Sequence, residues 1–136
     1  MNKCIVCNRL TPSLVFRIVH DICKIHNEKR YRWRDVRKTP PIVAREMIHQ
    51  IAVETCKIIF EVDQIKRSFF CGRSKYSLIG SLIYVISYQL DIYLTQDEVA
   101  EGCHASTNSI RNNYLRLKQF PNICHMIAKI QKKVQV

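Results

Sequence analysis

An all-α bundle is what this sequence predicts, and three observations predict it. Apolar residues make up 47% of the 136 positions, enough to bury a core. Only three glycines and four prolines interrupt the chain, too few for the many tight turns of an all-β sandwich. Along most of the length the apolar residues recur at spacings of three and four, the period of a helix face. The length is that of one domain.

The elements follow in order. Residues 1–10 carry two cysteines and no long apolar stretch ending in small residues, so no secretory leader is expected. From Pro12 to about Asn27, Leu14, Val15, Ile18, Val19, Ile22 and Ile25 form a helical stripe, with Thr11 suited to cap it and Pro12 to its first turn. Residues 28–40 break the pattern with Lys29, Arg30, Arg32, Arg34, Arg37 and Lys38 around Tyr31 and Trp33. They read as a basic connecting loop in which Arg32 and Arg34 track phosphates; Trp33 either stacks on a base or sugar or tucks onto the core. Residues 41–68 are a long helical candidate, one helix or two, with Val43, Met47, Ile51, Thr55, Ile58, Ile59, Val62 and Ile65 on its apolar positions. Cys71-Gly72-Arg73-Ser74 then ends it, Gly72 being able to take the left-handed conformation that closes a helix. Residues 75–93 are the most apolar, with Leu78, Ile79, Leu82, Ile83, Val85, Ile86 and Leu90 around the small Ser77, Gly80, Ser81 and Ser87. A helix apolar all round is a buried one, so this is the expected centre of the bundle. At the end, Ile123, Met126, Ile127, Ile130 and Val134 oppose Lys129, Lys132 and Lys133, a basic amphipathic helix over Pro121–Val136 expected to pack on the bundle rather than on a membrane.

The net charge is +11, more than solubility requires. Residues 1–40 hold ten Lys/Arg against three acids, residues 41–100 six against seven, and residues 101–136 six against one. Two basic ends around a neutral middle suggest a polyanionic partner, nucleic acid before an anionic membrane. No run of about 18 uncharged apolar residues is present, so no membrane span is expected. The seven cysteines are odd in number and scattered, several within helical apolar patterns, and read as reduced thiols in an intracellular protein, in the cytoplasm or nucleus of its host.

Residues 95–118 carry the functional inference. Thr95 and Glu98 form a capping box, with Val99 and Ala100 facing inward. The helix stops near Gly102–Ala105, Ser106 caps a second helix, and Ile110, Tyr114 and Leu117 lie along its buried face, with Tyr114 mainly core. Ala100, the turn position His104, apolar Ala105, Ser106 and the Ser109-Ile110 pair have the spacing of a helix-turn-helix. Its turn usually contains glycine; histidine at that place is a departure that positive φ tolerates better than most. The second helix of such a motif enters the major groove, and this one offers Thr107, Asn108, Arg111, Asn112, Arg116 and Lys118, with the Ser109-Ile110 pair anchoring it to the core. Arginine pairs well with guanine and asparagine with adenine.

The run from Gly72 to Leu117 resembles the cyclin-like repeat of transcription factor IIB and its archaeal counterpart. The residues that carry the resemblance are Gly72-Arg73-Ser74, Tyr84 in the small-residue central helix, Thr95-Gln96-Glu98-Val99-Ala100, and Ser106-Ser109-Ile110-Arg111-Tyr114. The resemblance implies a cyclin-like five-helix bundle at 41–136, with a helix-turn-helix at 95–118 and an extra C-terminal helix, preceded by a basic segment at 1–40 with a CxxC and the first helix. It also implies Ser109, Arg111 and Asn112 as base or phosphate contacts, Arg73 and Lys75 as phosphate contacts, and TATA-binding protein or RNA polymerase as partners. The family has two repeats and a four-cysteine zinc ribbon. This chain has room for one repeat and holds a single CxxC, so it would pair with another subunit or be a reduced viral or divergent version.

Cys4-x2-Cys7 followed by His20 and His26 falls within zinc-finger spacing, with Cys23 a further ligand choice. The competing reading is a chance CxxC before a core helix. The cofactor expectation is therefore none, or one structural zinc. The acids are few, the serines lack a paired His and Asp, and no glycine loop cradles phosphate, so no enzyme is expected. Duplex DNA is the expected partner. The alternatives are a cyclin-like module that binds a polymerase or kinase subunit without touching DNA, and a dimeric helix-turn-helix repressor.

Overall fold

The structure, a computed structural model, describes residues 12–30, 42–65 and 75–130. These residues are helical, with no strand among them: α1 (Pro12–Arg30), α2 (Arg45–Ile65), α3 (Lys75–Gln89), α4 (Gln96–Gly102), α5 (Thr107–Leu117) and α6 (Pro121–Ala128). The all-α expectation holds for all of them. The calls on Cys4, Cys7, Arg32, Trp33, Arg34, Gly72, Arg73, Lys132, Lys133 and Val134 lie outside the described residues.

Helix α3 packs against each of the other five helices, as expected of the central element. Leu78, Ile79, Leu82, Ile83, Ile86 and Leu90 are fully enclosed, each worth about 1.5–3 kcal/mol of burial. The expectation of burial all round is corrected: Tyr76, Tyr88 and Gln89 are exposed and Tyr84 and Val85 half-buried, so α3 keeps one tyrosine-rich side toward solvent. The small residues act where the helices come closest. A Cβ added to Gly80 would stand 2.8 Å from Cys103 Sγ and 2.9 Å from Ile110 Cδ1. The Ser81 hydroxyl donates to the carbonyls of both Ser77 (2.8 Å) and Ile110 (2.9 Å), tying α3 to α5.

Helix α1 shares this core through Val15, Ile18, Val19, Ile22 and Cys23, so the basic N-terminal segment contributes a buried element. It runs on to Arg30, which corrects the loop expected from residue 28, since polar residues can extend a helix already anchored by its buried stripe. The Asn27 side chain exchanges two hydrogen bonds with the Val43 backbone, at 2.9 and 3.2 Å, and so fixes the entry to α2. Helix α2 is one unbroken helix over Arg45–Ile65. Helix α6 stops at Ala128, shorter than the amphipathic pattern suggested; Gln89 Nε2 donates to the carbonyls of Ala128 (3.4 Å) and Ile130 (3.2 Å) and holds its end against α3.

Candidate nucleic-acid interface

Two short helices joined by a tight turn follow Leu94. Thr95 Oγ1 accepts the Glu98 N–H at 3.1 Å, and Glu98 Oε1 accepts the Thr95 N–H at 2.9 Å, which completes the capping box. The same Oε1 accepts a hydrogen bond from His26 Nδ1 of α1 at 2.9 Å, and both side chains are buried. Burial alone would raise the Glu98 carboxyl. The His26 and Thr95 hydrogen bonds, with the charges of His26 and Lys29, outweigh it and hold the group below its ordinary value.

The turn closes by backbone geometry. His104 has φ 57°, and the N–H groups of Ala105 and His104 bond back to the carbonyls of Ala100 (2.9 Å) and Glu101 (3.4 Å). This is the Schellman pattern with histidine in the left-handed place. The end of α3 repeats it with Asp91 (φ 61°), where Ile92 N–H reaches the Ser87 carbonyl at 2.8 Å and Asp91 N–H the Tyr88 carbonyl at 3.1 Å. The second instance had no glycine or asparagine to announce it.

Ser106 caps α5: its hydroxyl accepts the Ser109 N–H at 3.0 Å and lies 2.9 Å from Ser109 Oγ. Ile110, Asn113 and Leu117 are buried, with Asn113 Nδ2 donating to the Ser109 carbonyl at 2.9 Å. Tyr114, expected to be mainly core, is half-buried and leans against Tyr84.

The candidate contacts divide accordingly. Asn108, Arg111 and Asn112 are exposed on α5 and make no hydrogen bond or ion pair among the described residues. Arg116 is exposed on the same helix, and Lys118 follows as its C-cap, Nζ 4.8 Å from the Tyr114 ring centroid. Thr107 and Ser109 are engaged internally, Thr107 donating to Asp97 Oδ1 at 2.9 Å and Ser109 completing the cap. Asp97 thus sets a carboxylate beside the start of α5, while Glu101 is faced by Lys29 at 4.0 Å. Lys75 is the first residue of α3. Sequence reasoning missed Leu115, which is 47% exposed among these polar residues. Its place between Asn112 and Arg116, off the Ile110–Leu117 stripe, was the available signal.

The two histidines of the zinc spacing do not converge. His20 is exposed, and His26, six residues along the same helix, is enclosed with Glu98. Cys23 is buried and its thiol pushed up to about 12, chiefly by burial and also by Glu98, which disfavours the thiolate a metal needs. Among the described residues no three His, Cys, Asp or Glu side chains are grouped to hold a metal ion. No described helix is long and apolar enough to cross a membrane.

Compared with protein-family models, with curated proteins and with solved structures, the chain finds no match.

Proposed function

We propose that this chain binds duplex DNA through α4, the His104 turn and α5, as a single-repeat, cyclin-like factor of the transcription factor IIB type. The observation that carries the reading is the solvent face of α5. Asn108, Arg111, Asn112 and Arg116 stand on a helix with no carboxylate of its own, capped at its start and anchored by Ile110 and Ser81. A major groove about 12 Å wide admits such a helix, and these side-chain types match guanine and adenine edges. Arg116 and Lys118 lie at the C-terminal end, where they would meet phosphates. Central α3, with the other helices around it, supports the cyclin-like bundle. TATA-binding protein or RNA polymerase would then be met by other faces of that bundle. A zinc ion on Cys4, Cys7, His20 and His26 would require His26 to leave Glu98.

Asp97, a carboxylate held beside the start of α5 by Thr107, favours a second reading, a module that binds a polymerase or kinase subunit by this same face, since it would repel a phosphate there. A gel-shift titration on duplex DNA across a salt series, with a sizing column to fix the oligomeric state, separates the two. DNA binding predicts a linear fall of log affinity with log salt, a slope smaller by about one when Lys118→Ala removes a phosphate contact, and a loss of about 1–3 kcal/mol with relaxed sequence preference when Arg111→Ala removes a base contact. Absent or salt-independent binding would overturn it in favour of the protein-binding module.

A further inference from the structure

Beside the α5 face, α3, α5 and α6 enclose a groove of about 320 Å³ lined by Tyr84, Val85, Tyr88, Gln89, Tyr114 and Ile127. Its size is at the lower end of ligand clefts, roughly 300–1,000 Å³. The rings are set against one another. Tyr84 and Tyr114 meet at 90° with centroids 5.6 Å apart, and Tyr88 meets Tyr93 at 86° and 5.2 Å. Tyr84 and Tyr88, one turn apart on α3, tilt 48° at 6.4 Å. Three of these tyrosines, Tyr84, Tyr88 and Tyr114, line the groove, and Tyr93 backs Tyr88 from outside it. The hydroxyls of Tyr84 and Tyr88 make no hydrogen bond among the described residues. None of the six lining side chains is charged. Lys118 stands beside them over the Tyr114 ring, and α3, α5 and α6 contain no aspartate or glutamate.

These features select among occupants. A nucleic-acid strand needs a cationic track for its phosphates, and the lining is neutral. A quaternary ammonium ion would be drawn to tyrosine faces, but Lys118 already lies over Tyr114 and no carboxylate on the three helices would assist. An extended proline-rich segment fits better. Its rings pack flat on tyrosine, it is ordered before binding, and each proline contributes a carbonyl acceptor with no N–H donor to bury. Tyrosine hydroxyls supply the matching donors, as in aromatic grooves that bind polyproline helices. The geometry points to a docking groove for an extended, proline-rich segment of a partner protein, with an acidic residue of that segment set against Lys118. It does not rest on DNA binding, though it shares Lys118 with the face proposed to meet phosphates.

Fluorescence polarisation of the full chain tests it. The probe is a labelled decaproline with two glutamates at one end. The comparisons are uncharged decaproline, a Gly/Ser peptide with the same two glutamates, and a trimethyllysine peptide. Saturable binding of the acidic proline probe is expected. Tyr88→Ala, at a 58% exposed position, should weaken it by about fivefold. Lys118→Gln should weaken it by about twofold while leaving uncharged decaproline unchanged, and because that lysine is exposed the second variant reads the site whether or not the first one folds. The proposal is overturned by no saturable binding of either proline probe, by equal binding of the Gly/Ser peptide, by preference for trimethyllysine, or by a folded Tyr88→Ala that binds like the parent.

Discussion

Replacing Gly102 by alanine tests how α1 and α4 are fitted together. A Cβ at that position would stand 2.8 Å from Ile22 Cα and 3.0 Å from Ile22 N, and would also press on Ile22 Cγ1. Two of those three atoms are backbone, which cannot rotate aside, so the helices must part by several tenths of an ångström. Alanine in a helix otherwise gains up to about 1 kcal/mol over glycine, less at a last residue such as this one. Overpacking a close contact costs ~1–3 kcal/mol, and the upper half of that range applies because α1 itself must yield. Moving α1 also stretches the 2.9 Å His26–Glu98 hydrogen bond between the same two helices. The net expectation is a loss of about 1–2 kcal/mol. At about 4 °C per kcal/mol for a chain of this size, the melting midpoint falls by roughly 4–8 °C. Urea unfolding followed by far-UV circular dichroism, with the slope m unchanged, reads the same loss. A variant as stable as the parent, or more so, would refute the close α1–α4 fit.

Three further outcomes are expected. His26→Ala leaves the Glu98 carboxylate buried without its partner and should cost about 3 kcal/mol at neutral pH. Because Glu98 titrates below its ordinary 4.5 in the folded protein, its contribution is complete above that pH and lost as pH falls through the lower folded value. The gap between parent and variant in urea melts should therefore narrow as pH falls below about 4.5, and a gap that stays constant there would contradict the pairing. Ser106→Ala removes the α5 cap and should cost ~1 kcal/mol in the same melts, while Ser106→Asp should restore most of it. His104→Val should lose more than about 1 kcal/mol, because a β-branched residue resists positive φ, whereas His104→Gly should match or slightly exceed the parent; equal melts for the two would argue against a left-handed turn.

Local chemistry made α4 and α5 legible. Thr95 and Glu98 complete their box within three residues, Ser106 caps the helix that follows it, and His104 falls at the turn by counting from Ala100. Ile79 to Leu90 announced the core because apolar side chains have nowhere else to go. What escaped the reading depends on distant partners. Glu98 was visible as a cap, but not as the receiver of His26, 72 residues away. The solvent side of α3, where Tyr88 is exposed and Tyr84 half-buried, escaped because apolar periodicity does not reveal where neighbouring helices stop covering a surface. The ends of α1 and α6 were misjudged for the same reason: Arg30 continues a helix anchored elsewhere, and Gln89 clasps α6 at a point its own sequence does not mark.

One carboxylate oxygen that serves two masters limits how far this protein can be trimmed. At seven residues, α4 is far too short to persist by its own backbone bonds. It stays wound because Glu98 Oε1 clasps Thr95 and His26 together, and His26 arrives on the first described helix of the chain. A peptide excised at 95–118 would therefore lose its shape, and the smallest piece able to present Arg111 on a rigid helix must reach back to include α1.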